Sequence, residues 1–123
     1  MKTYTFEHLD VWQCAKRLAV RIYSITANFP ERERFGLSNQ MRRASISVCS
    51  NLAEGSAKFS AREKARFTET AYCSLMELLN QCIISRELEF ISEDELRHLR
   101  IHVNEIAAKA SRLRESQLRK LRD

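Results

Sequence analysis

The sequence predicts an all-α protein with the architecture of an antiparallel, up-down-up-down four-helix bundle. Glycine occurs only twice and proline once in 123 residues, and a fold of short strands would need more of these turn-forming residues. Apolar residues instead recur every three or four positions along four segments, as they do on one face of a helix. Because only a few residues separate these segments, each helix must turn back along its predecessor.

The first predicted helix covers about residues 10–28. Asp10 and Gln13 have the spacing of an N-terminal capping box, and Phe29 with Pro30 marks the end of the helix. The apolar residues of this segment would form one buried stripe: Val11, Ala15, Leu18, Ile22, Ile25 and Phe29.

The second predicted helix covers about residues 38–55. Ser38 is its expected cap, and Gly55 is its expected end, because glycine adopts the left-handed conformation at little cost. Its apolar residues again fall on one stripe: Leu37, Met41, Ala44, Val48 and Leu52.

The last two predicted helices cover about residues 60–88 and 92–118. Capping boxes open both of them, at Ser60 with Glu63 and at Ser92 with Glu95. The expected buried residues of the third helix are Ala65, Thr68, Tyr72, Leu75, Leu79 and Cys82. Those of the fourth helix are Leu96, Leu99, Val103, Ile106, Ala110 and Leu113.

Composition and length favour a single domain over residues 1–123 in a cytoplasmic, soluble protein. Arg17 and Arg21 interrupt the apolar stretch near the start, which argues against a signal peptide or a membrane span. The four cysteines form no CxxC pair and lie within helical patterns, so we expect free, buried thiols rather than disulfides or zinc ligands.

Charge is distributed unevenly between the two ends of the predicted bundle. The loops near Pro30 and Phe90 would lie at one end, which we call the acidic end. The loop near Lys58 and both chain termini would lie at the other, which we call the basic end. From residue 86 to 95 one basic residue faces five acidic ones, whereas from residue 106 to 123 six basic residues face two acidic ones. Such polarity could steer a polyanion.

The basic end is therefore a candidate surface for nucleic acid. Clustered Arg and Lys neutralise phosphates, and 15 of the 21 basic residues are Arg, the type that forks onto phosphate oxygens. An ordinary solvated helix end, with cations complementing the helix dipole, is the alternative. The candidate nucleic-acid-binding residues are Lys58, Arg62, Lys64, Arg66, Arg112, Arg114, Arg119 and Lys120.

The second helix carries a polar face that predicts an interface between subunits. Small and polar residues alternate there, which would let helices approach closely while polar groups set the register. An ion pair between Arg43 and a carboxylate of a neighbouring helix, Glu69 or Glu77, is the alternative. The candidate interface residues are Arg42, Arg43, Ser47, Asn51 and Glu54.

The sequence offers little for catalysis, so we expect no enzyme, no cofactor and no metal site. Two glycines cannot build a phosphate-cradling loop. His98 and His102 have helical i, i+4 spacing, but the rest of a ligand set is missing, and we expect both to face solvent. Trp12 and Tyr23 are interpreted as packing groups rather than base-stacking platforms.

Three segments carry a family resemblance that spans the chain from Phe6 to about Leu113. They are FEHLDVWQCAKRLAVRIY, NFPERERFGLSNQMRRASISVCSNLAEGS and FTETAYCSLMELLNQCIISRELEFIS. With its core motif of FGL, QMRRAS and SNLAEG, the chain resembles the bacterial four-helix bundle proteins encoded in intervening sequences of 23S ribosomal RNA genes. It is also similar to the accessory proteins of diversity-generating retroelements, although the FGLSNQMRRAS form fits the first group better.

The resemblance implies an antiparallel bundle that assembles into a ring-shaped homo-oligomer, a pentamer. It marks Arg42, Arg43, Asn51, Glu54 and Gly55 as recurrent polar positions of the family. Cys49 stands where relatives usually have proline, so a kink of the second helix is not expected to carry over. The retroelement proteins associate with a reverse transcriptase and nucleic acid, and the family has no firmly assigned biochemical activity.

Two hypotheses of function follow. In the first, the ring binds the backbone of RNA or DNA through its basic end. In the second, the ring is a scaffold that holds a protein partner and has no direct role with nucleic acid. Neither hypothesis involves a membrane.

Overall fold

The computed structural model describes residues 1–122, and over that range the chain is an all-α, antiparallel four-helix bundle without strands. Short 3-10 turns at Thr5–His8 and Glu31–Glu33 precede the first and second helices. Asp123, which the charge count above included, lies outside the described residues. The helices are α1 (Asp10–Thr26), α2 (Leu37–Ala57), α3 (Ala61–Glu87) and α4 (Glu93–Arg122).

Side-chain contacts between helices confirm the up-down-up-down arrangement. α1 packs on α2 and α4, and α3 packs on the same two helices from the other side. The hydroxyls of Ser47 and Ser74 lie 2.8 Å apart between α2 and α3. Between α3 and α4, the Thr68 hydroxyl donates to Oε1 of Gln117 at 2.8 Å, inside the protein. The start of α3 therefore lies beside the end of α4, as expected for antiparallel neighbours.

The predicted stripes of α1, α2 and α4 form the core. All six residues predicted for the first stripe are buried, although Phe29 lies past the end of α1. Leu37 and Leu113 are the only predicted stripe residues of α2 and α4 that are merely half-buried. The prediction for α3 is partly wrong, since Tyr72 is exposed and Leu79 half-buried, while Ala71 and Leu78 are buried. α3 contacts both α2 and α4, so its buried face is broader than one stripe and includes small residues.

The predicted N-terminal caps of α1 and α2 are wrong. α1 begins at Asp10 itself, and the Gln13 side chain donates to the carbonyl of Glu7 at 2.8 Å instead of closing a capping box. At α2, Ser38 is buried inside the first turn. The carboxylate of Glu33, on the preceding 3-10 turn, accepts from the Leu37 N–H at 3.1 Å and serves as the cap.

Gly55 does not end α2 in a left-handed conformation, because its φ is not positive and the helix continues to Ala57. The glycine is needed for a different reason. It is buried against α3, and a Cβ atom at this position would lie 2.9 Å from Cβ of Phe67. The missing side chain lets the two helix backbones approach closely where α2 ends.

The predicted caps of α3 and α4 are confirmed in different degrees. The Ser60 hydroxyl accepts from the Glu63 N–H at 3.1 Å, but the Glu63 carboxylate pairs with Arg66 instead of returning to Ser60. At α4 the box is complete, because the Ser92 hydroxyl accepts from the Glu95 N–H and the Glu95 carboxylate accepts from the Ser92 N–H.

α3 ends in a Schellman motif. The Phe90 N–H donates to the Ser85 carbonyl and the Glu89 N–H to the Arg86 carbonyl, both at 2.9 Å. This geometry puts Glu89 at φ 63°, in the left-handed region that favours glycine. The motif turns the chain sharply toward α4, and the Arg86–Glu93 ion pair at 3.0 Å spans the same corner.

α1 is held to α4 by a polar cluster around Lys109. Its ammonium lies 2.5 Å from an Asp10 oxygen and 2.9 Å from a Glu105 oxygen, and it also contacts the Cys14 sulfur. Hydrogen bonds from Lys109 and then from Cys14 lower the pKa of Glu105, and the bond to Asp10 is the main reason that the pKa of Lys109 is raised. Because α1 begins here, the last 13 residues of α4 extend past it by roughly 20 Å.

No helix within residues 1–122 combines the length and the apolarity that crossing a bilayer requires.

Replacing Gly55 with alanine should destabilise the protein although alanine is the better helix former. The new methyl group would meet the rigid Cβ of Phe67, and the resulting separation of α2 and α3 should outweigh the gain of about 1 kcal/mol in helix propensity. Urea unfolding followed by circular dichroism measures the change. A Gly55→Ala variant that is more stable than the wild type would contradict this account of the close approach.

Replacing Glu89 with glycine should have the opposite effect. Relief of the left-handed strain should stabilise the protein by roughly 0.5–1 kcal/mol, observed as a higher urea midpoint. Glu87→Gly, within the last turn of α3, is the control and should be destabilising. Equal effects of the two glycine substitutions would show that the φ of Glu89 carries no strain.

Candidate nucleic-acid interface

Three helices build the basic end: the end of α2, the start of α3 and the end of α4. The segment Lys58–Arg66 covers the turn between α2 and α3 and the start of α3. The segment Arg112–Lys120 lies on the part of α4 that extends past α1. The buried hydrogen bond between Thr68 and Gln117 joins α3, two residues past the first segment, to the second segment on α4. The fold therefore brings together the two basic segments that the sequence separates by about 50 residues.

Lys58, in the turn between α2 and α3, and Lys64, in the first turn of α3, both make local contacts. The Lys64 ammonium donates to the Ser56 carbonyl at 2.8 Å and so binds one of the unpaired carbonyls at the end of α2. The Lys58 ammonium lies 4.7 Å from the centre of the Phe67 ring. Lys64 thus has a structural role in addition to its charge. Lys58 stacks on the ring and forms no salt bridge with a described carboxylate, although its charge is, after hydrogen bonding, one of the smaller causes that lower the pKa of Glu63.

Two of the candidate arginines are paired with carboxylates. Arg66 binds both oxygens of Glu63, at 2.7 and 3.1 Å. This hydrogen bonding lowers the pKa of the Glu63 carboxyl and raises the pKa of the Arg66 guanidinium. Arg114 lies 3.8 Å from Glu69 of α3. These pairs are exposed, so they cancel charge locally and add little stability.

The remaining four candidates are exposed and have no salt-bridge partner among the described residues: Arg62, Arg112, Arg119 and Lys120. Arg112 and Arg119 are seven positions apart and share one face of α4. Together with Lys58, these residues are the candidate cations that could contact phosphate without first breaking an ion pair or, as for Lys64, a hydrogen bond to the backbone.

The opposite end of the bundle is acidic, as predicted. Its exposed carboxylates surround the α3–α4 corner and the first turn of α4: Glu87, Glu89, Glu93 and Asp94. Arg34 with Glu31, Arg86 with Glu93 and Arg97 with Asp94 form ion pairs there. The arginines of this end are largely neutralised by these neighbours.

The structure divides the predicted interface residues of α2 into two groups. Arg42 faces α1, where it donates to the Thr26 hydroxyl at 2.8 Å and to the Tyr23 carbonyl at 3.3 Å. Ser47 faces Ser74 of α3, and the Asn51 amide donates back to Ser47. These three side chains make contacts within the subunit.

Arg43 and Glu54 form the second group, because both are exposed on α2. Arg43 makes no salt bridge with Glu69 or Glu77, so the alternative ion pair is not formed. It lines an open cleft of about 540 Å³ between α2 and α3, which Glu77 and Phe35 also line. Both side chains are available to a second subunit.

Sequence reasoning missed an apolar groove between α1 and α2, of about 530 Å³. Val20, which is 67% exposed, lies on its wall with Tyr23 and Ile46, which are also exposed. The sequence did contain a signal, since these apolar residues fall between the buried stripes of α1 and α2. Surfaces of this kind on soluble proteins often contact a partner.

Sequence reasoning also missed Phe59, in the turn between α2 and α3. Its side chain is fully exposed, at 103% of its reference area. An aromatic residue outside any helical stripe, between Lys58 and Ser60, was the available signal.

The histidine and cysteine predictions can be compared with the described residues. His98 and His102 are exposed, as expected. The four thiols are free, and Cys14 and Cys82 are buried as expected, but Cys49 is only half-buried. Cys73 is exposed because it lies off the packed face of α3. Burial raises the pKa of Cys49 to about 11 and that of Cys82 to about 12. Over residues 1–122, His, Cys, Asp and Glu side chains form no cluster of three that could hold a metal ion.

A solved structure of similar fold exists. It is the 1.70 Å crystal structure of a protein of unknown function from the S23 ribosomal protein family of Bacteroides thetaiotaomicron, with a TM-score of 0.75 and 21% sequence identity. The alignment covers 84% of this chain and 96% of that one. At this level of identity the similarity shows the fold. No curated protein matches the sequence.

A family model described as "23S rRNA-intervening sequence protein" matches residues 7–112, which include all of α1, α2 and α3 and most of α4. The match ends before Arg114, so the last basic residues of α4 lie outside it. The chain therefore belongs to the 23S rRNA-intervening sequence protein family.

Proposed function

We propose that this protein is a homo-oligomeric binding protein, not an enzyme, that contacts the backbone of RNA or DNA through its basic end. One observation carries the proposal: cations from two distant segments gather at one end of the bundle. Six of the eight candidate residues have no salt-bridge partner among the described residues. The ammonium of Lys64 is held by the Ser56 carbonyl, and the other five, which we call the unpaired cations, are Lys58, Arg62, Arg112, Arg119 and Lys120.

The chemistry of these groups suits phosphate. A guanidinium presents a planar fork of donors that matches two phosphate oxygens, and three of the five unpaired cations are arginines. Neutralising backbone phosphates releases bound counterions, which is the main source of affinity in sequence-independent binding. The acidic end would repel the same ligand, so the charge distribution also favours one orientation of approach.

Assembly would multiply this surface. The five-subunit ring is what the family resemblance implies, and the exposed residues Arg43 and Glu54 with the apolar α1–α2 groove support self-association. If the basic ends of neighbouring subunits lie on one side of the ring, a strand could contact several of them at once. Several weak contacts then act as one stronger one.

Removing unpaired cations should weaken binding and reduce its salt dependence. The double variant Arg62→Ala/Arg119→Ala should bind a fluorescent oligonucleotide more weakly at low salt. Its slope of log affinity against log salt should be smaller by roughly one to two, since each lost phosphate contact removes about 0.7–0.9 from the slope. Fluorescence anisotropy over a series of KCl concentrations measures both quantities.

The matched control is Arg34→Ala/Arg97→Ala, which removes the same charge from the acidic end, where both arginines are already paired. This variant should keep the wild-type slope. Equal losses for the two double variants would mean that only net charge matters. Absence of binding by the wild type at low salt would refute the proposed function, and recovery of one stoichiometric protein partner from nuclease-treated extract would then favour the scaffold.

The oligomer is tested separately by light scattering. We expect the wild type to have a mass of about five times the 14.4 kDa of one chain. Arg43→Ala/Glu54→Ala should lower this mass more than Lys120→Ala does, because the first two side chains are exposed on the predicted interface of α2. An unchanged mass for Arg43→Ala/Glu54→Ala would contradict the interface assignment.

A further inference from the structure

An aromatic side chain of the basic end lies unpacked on the surface. Phe59 occupies the turn between α2 and α3, and its ring touches so little of the protein that it is fully exposed. An exposed phenyl ring contributes none of the free energy that its burial would supply to folding. A ring in this position is therefore better explained by an external contact than by the stability of the subunit.

The backbone on both sides of Phe59 is held in place. The Lys58 N–H donates to the Gly55 carbonyl at 3.1 Å, and the Ser60 carbonyl accepts from the Lys64 N–H at 3.0 Å. The Ser60 hydroxyl also caps α3. The turn therefore presents the ring from a rigid base, which lowers the entropy that a ligand contact would cost.

The groups around Phe59 are cationic. Lys58 precedes it in the chain, and the exposed guanidinium of Arg62 follows within one turn of α3. Glu63 is the nearest carboxylate in sequence, and Arg66 already binds both of its oxygens. An anionic ligand with a flat apolar part would find both complementary groups within a few residues.

The neighbouring aromatic residue Phe67 differs from Phe59 in that its ring is covered. Phe67 of α3 is half-buried, and the cations of Lys58 and Arg66 lie 4.7 and 4.9 Å from its ring centre. Its ring is thus already covered by the protein's own side chains. Phe59, in the same turn region, has no such cover among the described residues.

We propose that Phe59 is a stacking platform for an unpaired base, and that the basic end therefore prefers single-stranded RNA or DNA to a duplex. This inference rests on the proposed nucleic-acid function and deepens it. Bases within a duplex stack on one another, so only an unpaired base offers a free face to a protruding ring. Stacking on an aromatic side chain, combined with a cationic groove for the backbone, is how proteins bind single strands with little sequence preference.

The test compares Phe59→Ala with the wild type for binding to labelled oligouridine of about 12 nucleotides, to oligothymidine of the same length and to a duplex. The wild type should bind the single strands more tightly than the duplex. Phe59→Ala should lose roughly tenfold in affinity for the single strands and little for the duplex. The oligouridine and oligothymidine arms show whether RNA or DNA is preferred, and oligodeoxyuridine separates the effect of the 2′-hydroxyl from that of the thymine methyl group.

Phe35→Ala is the matched control. Phe35 is the same residue type, is 85% exposed and lies at the acidic end, so its removal should leave oligonucleotide affinity unchanged. Because Phe35 also lines the cleft beside Arg43, light scattering must first show that Phe35→Ala keeps the wild-type mass. Phe59→Trp should retain the affinity, and in a Trp12→Phe background its fluorescence should be quenched by a stacked base. Since the Phe59 ring packs on almost nothing, Phe59→Ala should also keep the wild-type melting temperature.

The possible results distinguish failure of the stacking role of Phe59 from failure of nucleic-acid binding as a whole. Wild-type affinity of Phe59→Ala for single strands, or equal losses on single strands and duplex, would overturn the stacking role while leaving backbone binding intact. Loss of a protein partner by Phe59→Ala with unchanged oligonucleotide affinity would overturn it in favour of a protein contact. Absence of wild-type binding to every oligonucleotide at low salt would instead refute the proposed function itself.

Discussion

The structure depends on one constraint: each of four long helices has an apolar face to bury, and the connections between them are too short to do anything but reverse the chain. Burial at roughly 25 cal/mol per Å² of apolar surface drives the faces together, and the antiparallel order follows from the loops. The buried stripes of α1, α2 and α4 and the broader face of α3 meet this constraint. Gly55 and the Schellman turn at Glu89 are local adjustments that let the backbones approach and reverse.

Charge separation is a consequence of the same reversals. Residues 58–66 and 112–120 are distant in sequence, but the alternation of helix direction places both at one end, while the acidic α3–α4 corner falls at the other. α1 is short and begins beside Lys109, so the last turns of α4 extend past it and carry their arginines into solvent. The proposed nucleic-acid surface therefore needs no dedicated motif, because the topology of the bundle assembles it.

The sequence predicted the fold class, the order of the helices and most of the core, because a 3.6-residue period survives in the residue pattern whatever the partner helix is. The predictions from sequence failed for the features that depend on contacts between helices. Glu33 caps α2 from the preceding turn, Gly55 serves close packing, and Ala71 replaces Tyr72 in the core because α3 faces two helices. At the basic end the sequence supplied the cations, but not which of them pair with carboxylates. The exposure of Phe59 needed coordinates, since an aromatic residue in a turn could equally have folded back onto the core.

The most direct test of the central claim is a map of where a polyanion touches the folded protein. Amide chemical shifts of the isotope-labelled protein, recorded during titration with a single-stranded oligonucleotide at low salt, provide this map. We predict that the largest shifts fall in residues 58–66 and 112–120, and that the amides of residues 31–34 and 93–97 are unaffected. Shifts concentrated at the acidic end, or spread evenly over the bundle, would contradict the central claim.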